Sequence, residues 1–183
     1  MIKQWKFISR KSLLNHSRMN IVEDSVELPD GNIVKYIREA PLGLDSVTTI
    51  AINDKGEILI QQEYSYPPDE IMYQLPGGKI EPNENIIFAA NRELSEESGF
   101  VATDCAILGS FYVNNRRSNT KQYVVLCKNI EIKKSHKDAE EFIESQWLSL
   151  AAIKDLIKNG KIVNMNMLAA LQLFDIAEHD SRA

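Results

Sequence analysis

A chain of 183 residues with 44% apolar and 26% charged side chains can build one packed domain with a modest extension, which argues against general disorder. Its formal net charge of -5, without a long basic stretch, argues against a nucleic-acid backbone as partner. No apolar run approaches bilayer length, and Met1–Arg10 mixes Lys3, Lys6 and Arg10 with aromatics rather than presenting a secretory block, so a cytoplasmic protein without a membrane partner is expected.

From Trp5 to Ala40 apolar and β-branched residues recur in short runs, and Pro29-Asp30-Gly31-Asn32 is a strong turn signal between two of them. Residues 1–43 therefore read as an antiparallel β extension, and residues 44–183 as the main domain. Ser46–Asn53 and Glu57–Gln62 flank Asp54-Lys55-Gly56 and are expected to form a hairpin. Pro67-Pro68 interrupts the chain before Met72-Tyr73-Gln74-Leu75 leads into a loop at Pro76-Gly77-Gly78.

Helical spacing takes over from Asn85 to Ser98, with Ile87, Ala90 and Leu94 as the expected buried stripe and Gly99 at the C-cap. Strands resume over Ala106–Val113, Gln122–Cys127 and Phe142–Trp147; helices follow over Leu150–Lys158 and Met165–Ala177. The fold class is α+β, a mixed sheet sandwiched between helices. Cys105 and Cys127 are too few for a disulfide framework or a thiolate zinc site and read as reduced packing residues. His16, His136 and His179 lie far apart and read as surface or structural residues.

The chemistry concentrates in Gly78-Lys-Ile-Glu-Pro-Asn-Glu84 and, seven residues later, Arg92-Glu93-Leu94-Ser95-Glu96-Glu97-Ser98-Gly99-Phe100. On a helix Glu93, Glu96 and Glu97 share an arc of roughly 100°. Like charges at that spacing repel, more so when they face a partly buried cleft, and a cation relieves the repulsion. The available ligands are hard oxygens without His or Cys nearby, which favours magnesium or manganese over zinc. Gly77 and Gly78 allow close backbone approach, so that a carbonyl can complete a coordination shell. Arg92 stands four residues before Glu96 and can orient it, while Glu84 at the helix entrance can meet the helix dipole or hydrogen-bond near the loop. An acidic helix face is usually solvated surface, but this complete pattern matches by chance at one start position with a probability of about 10⁻⁹ or below.

The pattern matches the Nudix box, G-x5-E-x7-R-E-U-x-E-E-x-G-U, without a departure. The resemblance implies the Nudix fold and hydrolysis of the diphosphate linkage in a nucleoside diphosphate derivative. Glu93 and Glu97 become the principal metal ligands, with Glu96 sharing a metal or its water and a carbonyl of Gly77 or Gly78 joining; two or three Mg2+ (or Mn2+) ions are implied. Gly78, Glu84, Arg92 and Gly99 are the structural members of the motif. Beyond the box, Glu140-Glu141-Phe-Ile-Glu-Ser-Gln-Trp-Leu-Ser-Leu150 resembles the C-terminal part of ADP-ribose pyrophosphatases, where an acidic loop supplies a base or further metal ligand. Glu141 is then the first choice for that role, Glu140 the second, in competition with a box glutamate.

Ser25–Gly31, Leu59–Pro67 and Gln74–Gly78 resemble the same subfamily, which implies a homodimer and makes ADP-ribose or a nucleotide sugar the leading substrate. That subfamily commonly carries Gln and Arg where this chain has Glu63 and Ser65, Glu where it has Gln74, and Pro where it has Asn115. Ser65 is too short and uncharged to make the phosphate or dimer contact of an arginine, and Arg116 or Arg117 can make it instead; Glu63 and Tyr64 are further candidates for substrate contact. Tyr64, Tyr66, Tyr73 and Phe111 are expected to pack in the core rather than stack on a base. The alternatives are a pyrophosphohydrolase of oxidised nucleoside triphosphates and a non-catalytic nucleotide-sensing domain; the second is disfavoured because every box carboxylate is present.

Overall fold

The computed structural model describes residues 1–40, 44–133 and 142–180. The chain divides into two compact units, Met1–Leu44 with Tyr112–Thr120, and Asp45–Phe111 with Lys121–Ala183. The first unit thus takes in a loop from the middle of the chain, which a boundary at residue 43 leaves out.

In the first unit β1 (Lys6–His16), β2 (Met19–Glu27) and β3 (Ile33–Glu39) form an antiparallel sheet in the order β1-β2-β3. The turn between β2 and β3 closes as its sequence demands. Asp30 accepts from the Asn32 amide at 3.0 Å, and Gly31 takes a φ of 86°, where a side chain would be strained. Asp24, on the central strand, is 5% exposed and sits between two arginines. Arg10 donates to it at 2.6 and 3.0 Å and Arg38 at 2.9 Å. The hydrogen bonds from Arg10 are the first cause holding the Asp24 carboxyl below its usual range, and those from Arg38 add to them against the cost of burial.

In the second unit β4 (Ser46–Ala51) runs parallel to β9 (Lys121–Ile132) and antiparallel to β7 (Gly77–Lys79), and β8 (Phe100–Tyr112) completes the mixed sheet β7-β4-β9-β8. A separate antiparallel sheet, β10-β5-β6, contains β10 (Glu144–Leu148), β5 (Ile58–Ser65) and β6 (Glu70–Gln74). Strand alternation sends side chains to two cores. Val47, Ala51, Leu59 and Val125 meet Ala89, Ala90 and Leu94 of α1 (Ile86–Ser98). Ile50, Ile58, Ile60 and Val124 meet Ile153 of α2 (Leu150–Lys158) and Met167, Ala170, Leu171 and Phe174 of α3 (Met165–Asp180). The α+β sandwich expected from the sequence is therefore present, with two sheets between its helices.

Five expectations need correction. The Asp54–Gly56 turn closes through the Ile52–Ile58 bridge, but β4 and β5 then diverge into different sheets instead of forming a hairpin. Gly77-Gly78 is a short strand on β4, not a loop. At the start of α1 both Ile86 and Ile87 are half-buried, and it is Ile86 that packs against the core with Ala90 and Leu94. Cys105 and Cys127, which read as reduced residues, are joined as a disulfide between the neighbouring strands β8 and β9, where their Cα atoms approach to 4.3 Å. Tyr73 and Phe111 do pack against the core, whereas Tyr64 and Tyr66 are exposed.

Candidate active site

The box folds as strand, turn and helix, each with a local cause. At Glu81-Pro82-Asn83-Glu84, Pro82 precedes Asn83 at a φ of 66°, and the Glu84 amide donates to the Glu81 carbonyl at 3.0 Å. Asn85 caps α1 by accepting from the Ile87 amide at 2.9 Å, and Gly99 ends it in the left-handed conformation at a φ of 75°. Between the caps, the 100° step carries Glu93 and Glu97 to the side where Gly77 and Gly78 of β7 lie.

Glu97, 8% exposed, accepts from the Gly77 amide at 3.1 Å. Glu93 has a side chain 13% exposed and lies so close to Gly78 that a Cβ built there would collide with its carboxylate. Glu96 is more open, at 46%. Arg92 ties the group together: it donates to Glu84 at 2.9 and 3.0 Å, to Glu93 at 2.8 Å, to Glu96 at 3.0 Å and to the Lys79 carbonyl at 2.9 Å. The expected Arg92–Glu96 pair is present, but Glu84 is the first cause raising the Arg92 guanidinium pKa, and Arg92 in turn holds the Glu84 carboxyl low. Glu84 thus hydrogen-bonds near β7, one of the two roles expected for it.

Among the described residues, no three carboxylate, imidazole or thiol groups converge as a ready-made metal cage. The reason is visible in the geometry: Arg92 draws Glu93 and Glu96 toward itself while Glu97 turns to Gly77. The residues nonetheless suit a hard divalent cation. Their donors are all carboxylate or carbonyl oxygens, and the missing side chain at Gly78 leaves the Glu93 carboxylate the space in which it lies.

The other candidates have partners of their own. Glu63 accepts from the Gln74 amide at 2.6 Å, and the exposed Tyr64 hydroxyl donates to Asp69 at 2.8 Å. Arg116 and Arg117 belong to the first unit. There the Tyr36 hydroxyl donates to the Arg116 carbonyl at 2.6 Å, and the Arg117 guanidinium donates to the Ile37 carbonyl at 2.6 Å. Glu140 and Glu141 lie outside the described residues. One feature has no counterpart among the sequence expectations. A cleft of about 230 Å³ is lined by Gln74, Gly77, Gly78, Gln122, Asn164 and Asn166, among others. Amides scattered from residue 74 to 166 carry no spacing signal; only a polar residue inside an apolar strand, such as Gln122, hinted at it.

A family model for the NUDIX domain matches residues 44–171. The chain is 25% identical to an ADP-ribose pyrophosphatase of Bacillus subtilis, with 94% of each chain covered. It is 29% identical to the ADP compounds hydrolase NudE of Escherichia coli, over 92% of this chain and 93% of the relative. A crystal structure of an ADP compounds hydrolase superposes with a TM-score of 0.90 at 21% identity, covering 100% of this chain and 99% of that one, which speaks for the fold.

Proposed function

The chain belongs to the Nudix family and is a hydrolase of that family, and from this we propose that it cleaves the diphosphate linkage of a nucleoside diphosphate derivative, ADP-ribose first, with Mg2+ or Mn2+. The observation that carries the reading is how the box carboxylates are held on α1: Arg92 binds Glu93 and Glu96, Glu97 accepts from the Gly77 amide, and Glu93 lies in the space left by Gly78. The coverage of two relatives named for ADP-ribose and ADP compounds supports the substrate class.

Two or three divalent ions would supply Lewis acidity toward the diphosphate oxygens and lower the pKa of water. Glu93 and Glu97 offer the least exposed oxygens, Glu96 a more open one, and a carbonyl of Gly77 or Gly78 a neutral one. The Gly77 amide limits rotation of Glu97, so its carboxylate is oriented before substrate arrives. Arg92 fixes the outer edge of the group and anchors it to Glu84 and the Lys79 carbonyl. The proton of the attacking water goes to a carboxylate, either a box glutamate or, on resemblance alone, Glu141 first and Glu140 second. Glu63, Tyr64, Arg116 and Arg117 remain candidates for substrate contact, and a homodimer is part of the reading.

A phosphatase-coupled screen with magnesium against ADP-ribose, nucleotide sugars, dinucleoside polyphosphates and oxidised dGTP tests it. ADP-ribose should give AMP and ribose 5-phosphate, activity should vanish with a chelator and return with Mg2+, and water labelled with oxygen-18 locates the attacked phosphorus. A folded sample that hydrolyses none of these compounds overturns the reading.

A further inference from the structure

The amide-lined cleft lies along β7, the strand whose Gly77 and Gly78 also meet Glu97 and Glu93. A group held at those carboxylates therefore borders the cleft through two residues without side chains. At about 230 Å³ the cleft is smaller than the roughly 300–1,000 Å³ of complete small-molecule sites, so it admits one ring system and not a whole nucleotide. Among the described residues its lining contains Lys79 as the single charged one, too little to hold a diphosphate, and includes the buried apolar residues Val47, Leu75 and Met167.

The polar groups have a bias. The Gln74 nitrogen is turned to Glu63 at 2.6 Å and the Gln122 nitrogen to the Thr48 hydroxyl at 2.6 Å, which directs both carbonyl oxygens elsewhere. Asn166 adds an Oδ1 that is buried without a hydrogen-bond partner in the described structure. A buried acceptor left unpaired is costly, and a ligand donor removes that cost. Asn164 is spent differently: its side chain accepts from the Met167 amide at 3.1 Å at the start of α3.

We infer that this cleft is the subsite for an uncharged ring of the substrate that carries N–H or O–H donors, and that Asn166 selects it. The inference rests on the hydrolase reading, which supplies the diphosphate beside β7. Two parts of such a substrate have this chemistry, the exocyclic amine of an aminopurine and the hydroxyls of a sugar. A base offering a keto oxygen in place of the amine would oppose acceptor to acceptor.

Titration calorimetry of the full chain with AMP, IMP and ribose 5-phosphate distinguishes them without any turnover. Asn166→Leu should weaken one of these ligands about tenfold with the melting temperature preserved, while Asn166→Asp, which keeps an acceptor, should stay within about threefold of wild type. Loss with AMP but not IMP assigns the amine; loss with ribose 5-phosphate assigns the sugar. In ADP-ribose hydrolysis the Leu variant should raise KM more than it lowers kcat. Unchanged binding of all three ligands in Asn166→Leu, or no binding of any by wild type, overturns the inference. The first of these results with ADP-ribose still hydrolysed leaves the hydrolase reading standing. Binding that depends on Asn166 without hydrolysis of any diphosphate removes the hydrolase reading instead.

Discussion

Gly77 and Gly78 are adjacent in β7, yet a side chain would offend different neighbours at each. A Cβ at Gly77 meets the Val47 carbonyl, part of the β4 backbone that cannot move without disturbing the sheet. At Gly78 it meets the far end of Glu93, which can swing away. Gly77→Ala should therefore destabilise the protein by about 2 kcal/mol or more, read as a lowered melting temperature. Gly78→Ala should leave melting nearly unchanged and lower kcat/KM at least about tenfold, because the displaced carboxylate is a proposed metal ligand. If the two variants lose stability equally, Glu93 is not positioned as described. Glu97→Gln supplies the complementary case. The amide oxygen can still accept from the Gly77 amide, so the fold should persist while turnover falls by orders of magnitude; equal activity would count heavily against the site.

Helix α1 was the most legible element, because its caps, its apolar stripe and its carboxylates are all local properties of one stretch of chain. Asn85→Ala should cost about 1 kcal/mol through the lost cap, measurable by denaturant unfolding. Even here one member of the stripe differs: Ala90 and Leu94 are buried as expected, but both Ile86 and Ile87 satisfy a helical period and only packing against the core chooses Ile86. Strands were legible as strands but not as partners. The runs on either side of Asp54-Lys55-Gly56 mark Ser46–Asn53 and Glu57–Gln62 as extended, whereas the sheet each joins depends on β9 and β10, which lie far along the chain. Gly77-Gly78 read as a loop because glycine pairs usually turn, and the ladder to β4 overrides that preference. The β1–β3 sheet carries its own electrostatic test. The Asp24 carboxyl is held low by Arg10 and Arg38, so its folded pKa lies below the unfolded reference of 3.8. Its contribution is then fully present above that value and is lost as pH falls through the lower, folded pKa. Acid titration followed by circular dichroism should show wild type losing stability below about pH 4 and Asp24→Asn losing less over the same range.

At the scale of the molecule, what the sequence concealed is whatever depends on distant residues meeting. The carboxylates of the candidate site were readable because they sit within about one helical turn of each other. The amide cleft was not, because β6, β9 and the start of α3 come together only in the fold. The same contrast bears on association. Every residue of β1 is exposed, although the strand carries Phe7, Ile8, Leu13 and Leu14, and Trp5 and Met19 next to it are exposed as well. Isolated exposed apolar residues are ordinary, but a row of them along the outer strand of a sheet is a surface that a second copy can cover. An irregularity between Ser12 and Leu14 interrupts the pairing with β2, so charges introduced there need not break a regular ladder. The homodimer reading then predicts a species of twice the 20.8 kDa chain mass by light scattering at micromolar concentration. A Leu13→Lys/Leu14→Lys double variant should run at the single-chain mass with its circular dichroism spectrum retained. Wild type running as a single chain across that concentration range would remove the dimer from the proposal and leave the carboxylate site untouched.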